Sequence, residues 1–227
     1  MSLPSHSVSA LPLDQETEFW VVRHAETVWN AMGKVQGHAD IALSSRGLQQ
    51  SERLAERLRG LSFDAVYASD LERAQKTADL ITSDLSPPRV LEPRLREINV
   101  GHLSGLSHRE VPERFPQYWQ ELSEDPWGTR RPGGESMSDL YVRVRDALLD
   151  IHCKYPGGRV LVVTHGGVVR VAVSLALGGD LQAMWARLSI ENTAISRLFL
   201  SKTGSRLISY NDSAHLEGEG HIPDDCD

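Results

Sequence analysis

Short apolar runs alternate with helical segments along the middle of the chain, and this alternation limits the possible folds most strongly. The apolar runs are typical of buried strands, whereas the segments between them carry apolar residues at helical spacing. The predicted strands are 19–22, 64–69, 89–91, 159–164, 194–200 and 206–210, and the main predicted helices are 46–59, 70–84, 136–154 and 166–177. This order predicts an α/β fold, a three-layer α/β/α sandwich with a mostly parallel central sheet.

Composition limits where such a chain works and what it binds. Its 227 residues suffice for one sizeable domain, and a net charge of −7 disfavours nucleic acid and anionic membranes as partners. The two cysteines, Cys153 and Cys226, form no C-x-x-C motif, and neither a signal peptide nor a spanning segment is recognisable. We therefore expect a cytoplasmic protein with one domain at 17–212, a loose arm at 1–16 and a loose acidic tail at 213–227. A homodimer is an option that the sequence leaves open.

Two predicted strands end on polar residues that suit catalysis. Arg23 and His24 follow the first strand, and His165 follows the strongest one, just before two glycines that open a helix. Arg73 lies one turn into another helix, and Glu97 precedes a glycine-rich loop. Because parallel sheets bind ligands at the carboxyl ends of their strands, we expect these five side chains to meet at one edge.

Three chemistries can use two histidines, two arginines and a carboxylate. A metal site built from His24, His165 and a carboxylate is disfavoured, because two fixed cations beside a divalent ion would repel it. A serine hydrolase is disfavoured because G-x-S-x-G is absent, and nucleoside triphosphate chemistry because the P-loop motif is absent. Phosphoryl transfer through histidine uses all five residues, since arginine forks match phosphate oxygens and an imidazole can attack phosphorus. It requires no metal and no organic cofactor.

The ordered motifs resemble one family, the histidine phosphatases of branch 1, also called the phosphoglycerate mutase-like superfamily. The resemblance extends over roughly residues 18–200. It rests on RHAET at 23–27 with Trp29-Asn30, QGHADIALSSRG at 36–47, SDLERAQKTA at 69–78, Glu97 with Gly101 and Gly105, PGGES at 132–136, and THGGVVR at 164–170. Ala25 replaces the usual glycine, and the G-H-L-S-G loop lacks the aromatic and glutamate residues that many members carry.

The resemblance implies a phosphoglycerate mutase-like fold and a role for each matching residue. His24 would become phosphorylated, Glu97 would donate a proton and then act as a base, and His165 would assist catalysis by holding a phosphoryl oxygen. The other implied phosphate-binding residues are Arg23, Asn30, Gln36, Gly37, Arg73 and Gly166. The expected activity is metal-independent hydrolysis of a small phosphorylated metabolite. A cofactor-dependent phosphoglycerate mutase and a non-catalytic phosphatase-like binding protein are the alternatives.

Some residues keep two interpretations at this stage. Glu26 lies close to His24 in sequence and can serve structurally by orienting His24 or its neighbours. Arg130 and Arg131 can reach a second anionic group of the substrate or form a solvated pair. The long connection at 98–134, with two short helical pieces at most, is of the kind that forms a lid or a substrate wall.

Overall fold

The computed structural model of the chain describes residues 15–83, 87, 89–201 and 204–217. Its strands are β1 (Thr17–Arg23), β2 (Ala65–Ala68), β3 (Arg89–Leu91), β4 (Arg159–Thr164), β5 (Ile195–Leu200) and β6 (Arg206–Asp212). Its α-helices are α1 (Val28–Ala31), α2 (Ser45–Leu58), α3 (Glu72–Ile81), α4 (Glu110–Arg114), α5 (Pro116–Glu124), α6 (Met137–Lys154), α7 (Gly166–Leu177) and α8 (Leu181–Trp185). The predicted arm at 1–16 lies outside the described residues up to residue 14, as does the tail from residue 218 onwards.

The strands form one sheet in the order β3-β2-β4-β1-β5-β6. The first four in this order pair in parallel, and β5 and β6 pair antiparallel at the other edge. The predicted mostly parallel sheet is therefore confirmed.

Alternate residues of the central strands point into two separate cores. Phe19 and Val21 of β1 pack with α6 and α7, whereas Trp20 and Val22 pack with α2 and α3. Both faces of the sheet are thus covered by helices, which explains why these strands are apolar at every position rather than at every second one. This arrangement is the predicted three-layer α/β/α sandwich.

The connection at 98–134 contains the two short helices α4 and α5, together with a 3-10 turn at Gly101–Leu103. Leu103, Val111 and Tyr118 from this segment are buried in the larger core. The segment is therefore packed onto the domain and forms part of a wall, in agreement with one of the two roles expected for it.

Ordered structure continues beyond β6, which ends at Asp212. Ala214–Leu216 form a 3-10 turn, and His215 Nε2 lies 3.0 Å from the hydroxyl of Thr193. Burial lowers the pKa of His215 to about 4, so the imidazole is neutral at pH 7. His215 therefore packs against the domain, while the bounds given for the domain and the tail stay a prediction. None of the helices that the structure describes has both the length and the apolar character needed to cross a membrane.

Candidate active site

Two histidines meet where neighbouring parallel strands end. Arg23 at the end of β1 is in register with Thr164 at the end of β4, so His24 and His165 follow at the same level. The backbone N–H of His24 donates to the Thr164 carbonyl at 2.7 Å. The ring centroids of the two histidines are 5.1 Å apart. The sequence-based expectation that both imidazoles lie at one sheet edge agrees with this geometry.

The hydrogen bonds of His24 define which of its nitrogens can react. Its Nδ1 lies 2.8 Å from the Ala25 carbonyl, which can only accept a hydrogen bond. Its Nε2 lies 3.2 Å from Nε of Arg73, which can only donate. The neutral ring must therefore carry its proton on Nδ1 and a lone pair on Nε2. Nε2 is the nitrogen that can attack an electrophile.

Arg73 is fixed beside that lone pair by backbone carbonyls. Its Nη1 donates to Ala39 at 2.8 Å and its Nη2 to Gly37 at 2.7 Å, and only 1% of the residue is exposed. Arg23 is also buried, and its Nη1 donates to the carbonyl of Ile190. Both guanidinium groups line the same cavity as His24 and offer positive charge to an anion bound there.

His165 lies deeper than His24 and is fully buried. Its Nε2 is 2.8 Å from the hydroxyl of Ser69, while its Nδ1 has no hydrogen-bond partner among the described residues. Burial, followed by the neighbouring charge of Arg73, holds the pKa of His165 well below its usual range. A neutral imidazole with one unused ring nitrogen is therefore available beside the reactive edge of His24.

Glu97 reaches the site from the loop that follows β3. Its Oε1 accepts from the backbone N–H of Ile98 at 2.7 Å, and its Oε2 accepts from that of Gly167 at 3.1 Å. A β-carbon on Gly167 would lie 2.3 Å from Oε1 of Glu97, so only glycine leaves room for the carboxylate there. Gly167, the second glycine after His165, thus leaves space for the Glu97 carboxylate rather than for a phosphate. The sequence analysis did not predict this role.

Arg143 on α6 fixes the backbone around Glu97. Its guanidinium forms a two-point ion pair with Glu135, at 2.8 and 2.9 Å. It also donates to the carbonyls of Arg94, Arg96 and Glu97, each within 2.8 Å. Because these contacts tie three carbonyls of the segment 94–97 to one helix, Arg143 is a positioning residue for Glu97.

The remaining predicted phosphate-binding residues divide into two groups. Asn30, Gln36 and Gly37 line the cavity, together with Arg23 and Arg73. The side-chain oxygens of Asn30 and Gln36 both lie within 3.0 Å of the Thr27 hydroxyl, so their amide N–H groups are the parts suited to an anion. Gly166 is buried in the first turn of α7 and is not part of the cavity wall, where Gly167 stands instead.

The cavity has a volume of about 500 Å³, which suits a small metabolite. Its wall, as far as the structure describes it, carries the cations Arg23, Lys34, Arg73, Arg131 and Arg170 and the single carboxylate of Glu97. The chain as a whole has a net charge of −7. The positive charge that suits the site to an anion is therefore concentrated in this cavity, although the chain as a whole is acidic.

Two further residues hold the end of β1 in place, and the sequence motifs do not include them. The side-chain amide of Asn192 donates to the His24 carbonyl at 2.8 Å, and the backbone N–H of Thr193 donates to the Arg23 carbonyl at 3.0 Å. Thr193 has φ of 60°, which a β-branched residue rarely adopts. Because strained backbone of this kind clusters at functional sites, we assign Thr193 a role in holding the end of β1.

The side chain of Glu26 contacts residues other than His24. The Glu26 carboxylate accepts from the Ser44 hydroxyl at 2.6 Å and pairs with Arg46 at 3.3 Å, so its side chain contacts the start of α2 rather than His24. A role in orienting the neighbours of His24 stays a prediction. In the described part of the chain, no three His, Cys, Asp or Glu side chains are grouped as metal ligands.

Comparisons with known proteins decide the family. The profile of the histidine phosphatase superfamily (branch 1) matches residues 19–213. The chain belongs to this superfamily. It is 44% identical to phosphoglycerate mutase-like protein 4 of Arabidopsis thaliana, over 90% of this chain and 89% of that protein. It is 39% identical to the metal-independent phosphoserine phosphatase of the same plant, over 91% and 86% of the two chains.

Solved structures agree with this assignment. The α-ribazole phosphatase from Shigella flexneri superposes with a TM-score of 0.79 and 28% identity, covering 86% of this chain and 96% of that one. The predicted phosphoglycerate mutase-like fold is thus confirmed, and phosphatases among its relatives support a phosphoric monoester hydrolase. Some relatives are named as probable phosphoglycerate mutases, but mutase activity is not better supported than hydrolysis.

Gly167→Ala should reduce kcat by about 10- to 100-fold, because the new methyl group displaces the Glu97 carboxylate on which proton transfer depends. Alanine is favoured over glycine by up to about 1 kcal/mol within a helix, which offsets part of the steric cost. We therefore expect a thermal unfolding midpoint near that of the wild type. Gly204→Ala is the matched control, since a β-carbon there meets no atom within 4 Å. Unchanged kcat in Gly167→Ala would contradict the conclusion that Gly167 leaves space for the Glu97 carboxylate.

Proposed function

We propose that this protein hydrolyses a small phosphorylated metabolite in two steps, through a phosphohistidine on His24. The observation that carries the proposal is the lone pair of His24 Nε2, which faces a fixed guanidinium 3.2 Å away in the same cavity as Glu97. This arrangement supplies a nucleophile, positive charge for the transferred group, and a proton donor.

In the first step, His24 Nε2 attacks phosphorus. The N–P bond forms as the P–O bond to the leaving group breaks, and protonated Glu97 gives its proton to the departing oxygen. Arg23, Arg73 and the amide of Asn30 bind the phosphoryl oxygens and offset their charge. His165, neutral and with Nδ1 unused, donates a hydrogen bond from that nitrogen when Ser69 donates to its Nε2.

In the second step, water attacks the phosphoryl group of phosphohistidine. Glu97, now a carboxylate, takes a proton from the water while the N–P bond breaks. Inorganic phosphate leaves, and His24 returns to its neutral form with the proton on Nδ1. Glu97 ends the cycle protonated, so atoms and charges balance without a metal ion or an organic cofactor.

Phosphoglycerate mutase activity is the alternative, and the relative named phosphoglycerate mutase-like protein 4 is the observation that favours it. The first half-reaction would be the same, but a second substrate rather than water would receive the phosphoryl group. A non-catalytic binding protein is less well supported, because His24, His165, Arg23, Arg73 and Glu97 are all present and grouped. A cytoplasmic location and a homodimer stay predictions.

The proposal is tested by incubating the full chain with p-nitrophenyl phosphate and with 3-phosphoglycerate, with and without chelator. We expect release of phosphate from the first ester at the same rate in chelator, because the five catalytic candidates are all protein side chains. A quench in base should trap phosphate bound to the protein, and acid should then release it, as expected of a phosphoramidate. Conversion of 3-phosphoglycerate to 2-phosphoglycerate faster than phosphate release would favour the mutase. Full loss of activity in chelator would contradict the proposed mechanism.

A further inference from the structure

Arg131 lines the catalytic cavity but takes no part in the two steps proposed above. It follows α5 and precedes the Pro132-Gly133-Gly134 turn that leads into α6. The packed connection also contributes Val111, Tyr118 and Leu122 to the wall of this cavity, and the charge of Arg131 acts on the pKa of Tyr118. Arg131 therefore places a guanidinium in a wall to which the connection also contributes apolar side chains.

Among the residues that the structure describes, no carboxylate pairs directly with Arg131. Its Nη1 donates to the backbone carbonyl of Glu135 at 3.2 Å. The two nearest carboxylates act on its pKa from a distance, and both are engaged elsewhere. Glu135 is paired with Arg143, and Glu97 accepts from the N–H groups of Ile98 and Gly167.

Two other arginines have partners beyond a single backbone carbonyl. Arg130 pairs with Asp139 at 2.8 Å, and 64% of its side chain is exposed. Arg170 donates to the Trp185 carbonyl and stacks over the indole, with 5.0 Å between the guanidinium carbon and the ring centroid. Burial of Arg131 lowers its pKa, which reflects the cost of holding an unpaired cation out of water. An anion that entered the cavity would remove that cost.

We propose that Arg131 binds a carboxylate of the substrate while the phosphoryl group lies at His24. The substrate class is then a small phosphomonoester that carries one carboxylate. This inference rests on the proposed function, since it assigns the far end of the molecule whose phosphoryl group is transferred. A single guanidinium fork matches the two oxygens of a carboxylate, and its one positive charge balances a monoanion. A second phosphate dianion would leave negative charge uncompensated against the apolar wall.

The test compares two esters that differ only in the carboxylate, O-phosphoserine and O-phosphoethanolamine. Phosphate release gives kcat and KM, and the shift of the thermal unfolding midpoint reports binding separately from turnover. We expect Arg131→Gln to lower kcat/KM for O-phosphoserine by about 10- to 100-fold, chiefly through KM, because a charge-assisted contact is lost. The kinetics of O-phosphoethanolamine should change by less than about threefold. Arg130→Gln, the matched control on the adjacent exposed cation, should behave as the wild type with both esters.

The outcomes separate the subsite from the proposed activity. Equal losses for both esters in Arg131→Gln, or equal binding of both by the wild type, would overturn the carboxylate subsite. Ethylene glycol bisphosphate is the third probe, and an Arg131-dependent gain larger than that of O-phosphoserine would overturn the choice of a carboxylate. If neither ester were hydrolysed but Arg131 still favoured binding of O-phosphoserine, the subsite would stand and the proposed hydrolysis would fail.

Discussion

Replacing His24 with asparagine should lower phosphomonoester turnover by at least about 10³-fold. Asparagine keeps a donor for the Ala25 carbonyl but removes the Nε2 lone pair that faces Arg73. Without that lone pair, no N–P bond can form, and the reaction loses its covalent route. The measurement is kcat with p-nitrophenyl phosphate, together with acid-labile label from a phosphorylated substrate, which should disappear.

His102→Asn is the matched control for this change. His102 lies on the surface in the 3-10 turn at Gly101–Leu103 and is not part of the cavity wall. Its variant should keep wild-type kcat and the same quantity of labelled enzyme. Circular dichroism of His24→Asn should match that of the wild type, since the substitution lies at a strand end. Substantial turnover in a folded His24→Asn protein would remove His24 from the role of nucleophile.

Glu97→Gln should lower kcat by about 10²- to 10⁴-fold for alkyl phosphates, which depend on a proton donor for the leaving oxygen. For p-nitrophenyl phosphate, whose leaving group departs without a proton, the first step should be affected far less. The amide also faces two backbone N–H groups, from Ile98 and Gly167, and its nitrogen cannot accept from either of them. The measurement is kcat for a series of esters that differ in the acidity of the leaving alcohol.

A steeper dependence of kcat on leaving-group acidity in Glu97→Gln than in the wild type identifies the proton donor. A uniform loss over the series would instead indicate a structural effect. Glu113→Gln, on an exposed carboxylate of α4, supplies the control and should leave the whole series unchanged. Together with the His24 result, the series separates the residue that attacks phosphorus from the residue that moves the proton.

The layers of the fold follow from local patterns in the sequence. RVLVVT is apolar at almost every position because β4 is buried on both faces, and that same run predicts a central strand. The short helices α1 and α8 were not predicted, since four or five residues give no measurable helical period. The packed turn around His215 was missed for a similar reason, because one contact with Thr193 leaves no periodic signal.

The residues of the site likewise fall into those that the sequence predicts and those that it does not. Arg23, His24 and His165 could be identified because each follows a recognisable strand, and Arg73 because it lies one turn into a predicted helix. Asn192 contacts His24 across 168 positions of sequence, and nothing in its neighbours predicts that hydrogen bond. Gly167 did leave a signal, since a second glycine inside the first turn of a helix is unfavourable unless a neighbour needs the space.

The register between β1 and β4 has a consequence for how this chain can vary. His24 and His165 meet only because Arg23 lies opposite Thr164, and successive residues of a strand point to opposite faces of the sheet. Deletion of one valine from β4 would turn His165 away or shift it by about 3.3 Å, even if the sheet still formed. Insertions and deletions in these two strands are therefore incompatible with catalysis.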